Sequence, residues 1–217
     1  VVAKFYRPQR WSDAAILEEH AFVEELAVRE IPAVPALTLD GRTLHEFGGF
    51  RFAVFPRKGG RAPELGDPAT LEWIGRFIGR IHAVGALSEY KERPALTPET
   101  FGRQPRDFLL ANDWIPRELL AAYTSVVDQA LAGVAHCYER AGEHAVLRLH
   151  GDCHAGNVLW TDAGPHFVDF DDSRTGPAVQ DLWMMLSGER GEMVRQFSDI
   201  LAGYEDFCEF DPRQLYL

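Results

Sequence analysis

The sequence predicts an α+β chain of two lobes, a small strand-rich one with a single helix followed by a larger, mainly helical one. Three observations predict it. Short apolar runs separated by turn residues crowd the first 56 positions; apolar residues at helical spacing take over after position 67; and two short apolar strands bracket a polar loop late in the chain. A length of 217 residues is enough for two small lobes to share a proper core.

Val1 to Tyr6 reads as a strand, and Pro8 followed by Trp11-Ser12-Asp13 reads as a turn into a helix capped by Ser12 or Asp13. That helix should run to about Glu30, where Pro32 stops it. Thr38 to Leu44 and Phe50 to Pro56 look like strands, the first turning at Asp40-Gly41 and the second flanked by Gly48-Gly49. Residues 1–56 form the small lobe, and 57–66, with Gly59-Gly60 and several basic residues, form the linker.

Residues 67–217 form the second lobe. Asp67-Pro68 is an N-cap followed by proline at the first helical position, and Leu71, Ile74, Phe77, Ile78 and Ile81 then recur at helical spacing. A second long helix should start near Pro116 and end near Gly142. Ala145 to Leu149 and His166 to Phe170 give the two short strands. Both ends look cut: the chain opens directly on an apolar strand and stops at Leu215-Tyr216-Leu217 as a new segment begins.

Between the late strands the order is His150-x-Asp152-x-x-x-x-Asn157, followed by an apolar strand and the segment Val168-Asp169-Phe170-Asp171-Asp172. Phosphoryl transfer asks a protein for positioning and charge neutralisation around a magnesium-bound triphosphate more than for covalent chemistry. It needs a carboxylate to accept or orient the incoming hydroxyl proton, and hard oxygen ligands for the metal. Asp152 suits the first role; Asn157 and Asp169 suit the second.

These residues carry a resemblance. Asp152, Asn157 and Asp169 match the catalytic-loop Asp, catalytic-loop Asn and metal-binding Asp of protein kinases and of the aminoglycoside-phosphotransferase-like kinases. Gly151 replaces the Arg of H-R-D, which points to the second group. Leu147 to Asn157, Gly176 to Trp183, Trp11 to Phe22 and Phe50 to Gly60 resemble the bacterial stress response kinase A family. The resemblance implies a two-lobed protein-kinase-like fold that uses ATP and Mg2+ to phosphorylate Ser or Thr on a protein. A small-molecule kinase of the aminoglycoside, choline or homoserine type is the alternative. The loop 150–157 becomes the catalytic loop and 168–172 the metal-binding segment. No glycine-rich phosphate loop precedes Lys4, and a carboxy-terminal helical portion is expected beyond Leu217.

Kinase chemistry also needs a strand Lys clamped by a helix Glu. Lys4 lies inside an apolar strand, and on the 13–30 helix Ile16, Phe22, Val23 and Leu26 define an apolar arc with Glu19 near its middle and Glu18 a quarter-turn or more away. Lys4 with Glu19 is the expected clamp. Phe55-Pro56 is the expected hinge, with backbone near Ala53, Val54, Phe55 and Arg57 open to the adenine. His154 is expected near the γ-phosphate, or else as a hydrogen-bonding loop residue, and Asp181 as a brace of the catalytic loop.

Composition excludes other classes. With 22 basic and 33 acidic residues the net charge is −11, which argues against a phosphate-neutralising nucleic-acid surface. Cys137, Cys153 and Cys208 show no C-x-x-C spacing, so neither a disulfide framework nor a structural zinc site is expected, and a cytoplasmic setting is. No run approaches the roughly 18 apolar residues of a membrane span. Two rivals stay open: a two-metal hydrolase drawn on His150, Asp152, His154, Asp169, Asp171 and Asp172, and a pseudokinase that keeps the fold without turnover.

Overall fold

A computed structural model describes residues 1–217. The first part is a three-stranded antiparallel sheet, β1 (Val2–Phe5), β2 (His45–Phe47) and β3 (Phe50–Phe55), in the order β1-β3-β2. Lys4 pairs with Ala53 across it. Helix α1 (Asp13–Val28) is capped as the sequence predicts, the Ser12 side chain accepting the Ala15 N–H at 3.1 Å. The expected strand over 38–44 is reduced to one bridge, Leu39 with Arg42 around the Asp40-Gly41 turn. The chain before that turn bonds elsewhere, Leu37 N–H donating to the Val54 carbonyl at 2.7 Å. The hairpin at Gly48-Gly49, both glycines at positive φ, makes the lasting pairing with β3.

The second part opens with α2 (Pro68–Gly85), capped by Asp67, and continues through α3 (Gln104–Ala111), α4 (Leu120–Ala141), α5 (Val179–Trp183) and α6 (Arg190–Tyr204). Neither α3, α5 nor α6 is legible from apolar spacing. Helix α2 packs on α6, and Gly75 lies so close to the Ile200 carbonyl that any side chain there would overlap it. Two-stranded pairs complete the architecture: β4 (Leu147–Arg148) with β7 (Thr175–Gly176), and β5 (Val158–Thr161) with β6 (Gly164–Phe167). The late strands are shorter than predicted or shifted along the chain, because each pairs with only one short neighbour.

Two apolar cores form. A small one gathers Tyr6, Ile16, Ala36 and Ala53 under the sheet. The large one joins Phe22, Val23 and Leu26 of α1 to Leu71, Ile74 and Ile78 of α2, and to Leu149, Phe167 and Phe170. Helix α1 therefore bridges both cores. The 57–66 segment is tied down midway, where Arg61 and Trp160 exchange backbone hydrogen bonds of 3.0 and 2.7 Å. No helix is long and apolar enough to cross a membrane.

Candidate active site

The chain leaves β4 into residues 149–157 and returns to β7 through 168–174, so pairing of β4 with β7 lays these two loops side by side. Cross-links hold them there. Leu149 N–H donates to the Arg174 carbonyl at 2.8 Å and Val168 N–H to the Asn157 carbonyl at 3.0 Å. Gly151 has φ +87°, and a Cβ there would overlap the Asp172 carbonyl. This close approach explains glycine where protein kinases carry the Arg of H-R-D.

His150 is fully buried; its Nε2–H donates to the Val168 carbonyl at 3.0 Å and its Nδ1 accepts the Asp152 N–H at 3.3 Å. Burial keeps its imidazole below the usual range. With both ring nitrogens spent, His150 is not free to ligate a metal, so the two-metal drawing loses a member. Asp181, also fully buried, accepts from His150 N at 2.7 Å, Gly151 N at 2.8 Å and His82 Nε2 at 3.0 Å. Burial alone would raise its carboxyl, but the His82 hydrogen bond and charge, the His150 ring and the Gly151 N–H outweigh it and hold it below the usual carboxylate range. Cys153, beside Asp152, is buried, and burial raises its thiol well above the ordinary value, so it packs rather than reacts.

Asn157 closes the loop, its Nδ2 donating to the Asp152 carbonyl at 2.8 Å and the Asp152 Oδ2 at 3.2 Å. This leaves the amide oxygen of Asn157 for another partner. The Asp152 side chain is 37% exposed, open to an incoming hydroxyl. His154 turns back on its own loop: Nδ1 accepts the Gly156 N–H at 2.9 Å, and Nε2 stands 3.6 Å from Asp152 Oδ2.

Asp169 follows with φ 63° and ψ 61°, a left-handed conformation for a non-glycine residue of the kind that costs about 1–3 kcal/mol and collects at functional sites. It faces a cavity of about 400 Å³ between the sheet and the β5–β6 hairpin, shared with Lys4, Glu19, Phe55, Val168 and Phe170. The pairing inside differs from expectation. Lys4 Nζ bonds Asp169 Oδ1 at 2.6 Å and stands 3.4 Å from Asp171 Oδ1, while Glu19, 2% exposed, pairs with Arg93 at 3.0 Å. The expected Lys4–Glu19 contact is thus replaced by two others. The reason is geometric: the planar fork of Arg93 comes from the 90–94 loop to the buried face of α1, which leaves the more flexible Lys4 to the carboxylates across the cavity. Burial would lower the Lys4 ammonium, but the charge of Glu19, the hydrogen bond to Asp169 and the charge of Asp171 together raise it. Burial would raise the Asp169 carboxyl, and Lys4 turns the balance so that it lies below the usual range.

The adenine-side expectation also needs correction. Ala53 is buried in the small core and paired with Lys4 in the sheet, and the Val54 carbonyl is taken by Leu37 N–H at 2.7 Å. Neither they, Arg57 nor His154 lines the cavity; Phe55 does, joined by Pro56 and Lys58. Arg93 and Lys58 were missed because each is one charged residue in a loop, with no periodicity or motif to mark it.

A divalent cation fits these residues in type. No three His, Cys, Asp or Glu side chains gather as a metal cluster. Magnesium, however, is held through one or two carboxylates with substrate phosphates and water. The Asn157 amide oxygen and the Asp169 carboxylate are hard ligands on neighbouring loops, and Asp171 Oδ1 is buried without a hydrogen-bond donor.

Comparison with known proteins agrees with this geometry. The sequence model of the phosphotransferase enzyme family matches residues 1–217. The chain is 45% identical over 217 residues to "Stress response kinase A" of Escherichia coli strain K12, and 42% identical over 216 residues to "Serine/threonine protein kinase RdoA" of Salmonella typhimurium. In both cases all of this chain aligns with 65% of the relative's length. Among solved structures, an amicoumacin kinase in complex with AMP-PNP, Ca2+ and Ami superposes with TM-score 0.75 at 18% identity, over 96% of this chain and 66% of that one. At that identity the likeness speaks for the fold, the α+β kinase-like architecture the sequence predicts.

Proposed function

The chain belongs to the phosphotransferase enzyme family, and from that premise we propose that it carries the catalytic site of an ATP- and magnesium-dependent kinase acting on Ser or Thr hydroxyls of a protein. The observation that carries the reading is the pairing of Asp152 with Asn157 on a loop whose backbone is bonded to the segment that presents Asp169. Asp152 takes the hydrogen bond of the acceptor hydroxyl and receives its proton as the oxygen attacks the γ-phosphorus, the bond from that phosphorus to the β,γ-bridging oxygen breaks, and ADP leaves with the electron pair. Asn157 and Asp169 would hold magnesium, which when bound neutralises charge on the transferring group. Lys4, already turned to the Asp169 side of the cavity, supplies a cation for the nucleotide phosphates, and the apolar cavity walls take the base.

The protein acceptor is supported by the relatives at 45% and 42% identity, one named a stress response kinase and the other a serine/threonine protein kinase. A cytoplasmic setting is supported by Cys137, Cys153 and Cys208, all free thiols. The test is to supply labelled ATP and magnesium with a basic protein substrate, with the protein itself, and with a panel of small amino and hydroxyl compounds. Phosphate on Ser or Thr is the expected result; efficient transfer only to a small molecule would replace this reading by the small-molecule one.

Asp169→Ala and Asn157→Ala each remove an oxygen from a hard cation. Both should weaken magnesium-nucleotide binding by about tenfold or more. Calorimetry with and without magnesium checks this, and an unchanged metal dependence in both variants would place the metal elsewhere.

A further inference from the structure

Arg93 lies in the loop after α2, and its side chain is wholly buried. One guanidinium reaches two sides. Toward α1 its Nε donates to the Ala15 carbonyl at 2.8 Å and its NH2 to Glu19 Oε2 at 3.0 Å; toward the loop after Asp169 its NH1 donates to the carbonyls of Asp171 at 2.8 Å and Ser173 at 2.7 Å. Its guanidinium carbon also lies over the Trp11 ring, 4.4 Å from the ring centre. The loop that carries Arg93 is fastened in turn by α1, because the Glu18 carboxylate accepts the backbone N–H groups of Lys91, Glu92 and Arg93 at 2.8–3.2 Å. From outside, Arg10 grips the carboxylates of Asp171 and Asp172 at 2.6 and 2.7 Å.

We infer that Arg93 is a positioning residue for phosphotransfer: it fixes the 169–173 segment, and with it the Asp169 carboxylate, relative to α1. The argument rests on the kinase reading above and goes beyond it. Only a planar group with five donors spans acceptors on two elements at once, and a lysine at the same place keeps the charge but presents three donors from a single point. Glu19 then acts through Arg93, and that arrangement leaves Lys4 free to bond Asp169.

The test compares Arg93→Lys with Arg148→Lys. Arg148 is also buried and bound to α1, through Glu25 at 2.9 Å, but its other side-chain hydrogen bonds go to the Val84 and Gly85 carbonyls and none goes to the 169–173 segment. For each variant one measures the thermal midpoint, the magnesium concentration that half-saturates binding of a non-hydrolysable ATP analogue, and amide hydrogen exchange over 170–174 without nucleotide. Arg93→Lys should raise the magnesium requirement by about tenfold, through the loosened backbone that carries Asp169, and speed exchange in that segment. Arg148→Lys should lower the thermal midpoint and leave both other measures near wild type. A wild-type magnesium requirement and unchanged exchange in Arg93→Lys overturn the proposal, and so do equal shifts in Arg148→Lys. If the wild-type protein binds no nucleotide, the kinase reading falls by itself, and the exchange comparison still decides whether Arg93 fixes the segment. Should Arg93→Lys fail to fold, Arg93→Met combined with Glu19→Gln removes both buried charges together. It is read against Glu19→Gln alone, and no added exchange in 170–174 overturns the proposal.

Discussion

Asp152→Asn should lower phosphotransfer by about 10²–10⁴-fold, the usual loss when a positioned general base is removed, with the fold and nucleotide binding intact. The change is isosteric, and the loop does not depend on the carboxylate charge. The Asn157 side chain keeps its 2.8 Å bond to the backbone carbonyl of residue 152, and His150 keeps the backbone N–H. The acceptor hydroxyl alone loses its proton acceptor. Initial rates at saturating ATP, beside nucleotide affinity by calorimetry, check the split. Turnover within a few-fold of wild type would remove Asp152 from the mechanism.

Asp181→Ala should have the largest effect on stability. It strips the acceptor from two backbone N–H groups and from His82, all at a fully buried site. Breaking a buried charged network by removing one member costs about 3–5 kcal/mol, and about 2–4 °C is lost per kcal/mol in a chain of this size, so a fall on the order of 10 °C follows. His82 also meets the Tyr204 hydroxyl at 2.9 Å, so the loss spreads from the 149–157 loop through α2 to α6. The pH dependence has a definite sign. Because the Asp181 carboxyl is held below its ordinary value in the folded protein, its contribution is present above the unfolded value of about 3.9 and is lost as pH falls through the folded value. Denaturant unfolding at pH 7 and in acid tests both points: the variant should be much weaker at neutral pH and lose less on acidification. A neutral-pH loss under about 1 kcal/mol, the worth of a single ordinary hydrogen bond, would show that the carboxylate is not the brace.

Where the chain signals locally, sequence and structure agree closely. Ser12 and Asp67 cap the helices they precede, because an N-cap bond reaches only three residues along the chain. Helix α4 ends at Ala141 with Gly142 at positive φ. The apolar stripe of α2 is buried at Leu71, Ile74, Ile78 and Ile81, although Phe77 lies at its edge. Glu19 is buried and Glu18 half-buried, as the helical arc of α1 requires. Weak periodicity hid α3 and α6. Helix α6 is seated by close backbone approach at Gly75 and Gly79 of α2 and at its own Gly203, and single glycines inside a helix carry no periodicity that would announce it.

By itself the sequence singled out the residues we propose for the chemistry and fixed their order along the chain. Asp152, Asn157 and Asp169 lie within one loop–hairpin–loop unit, where short connections allow few arrangements. The tertiary structure decided which charges meet. Lys4 and Asp169 stand 165 positions apart, and Glu19 and Arg93 stand 74 apart. Lys4 has the carboxylates of Asp169 and Asp171 within 4 Å, whereas Arg93 meets that of Glu19 and otherwise backbone carbonyls. The choice among them follows from how α1, the 90–94 loop and the 169–173 segment pack together, and from the need of a buried guanidinium to satisfy all its donors at once.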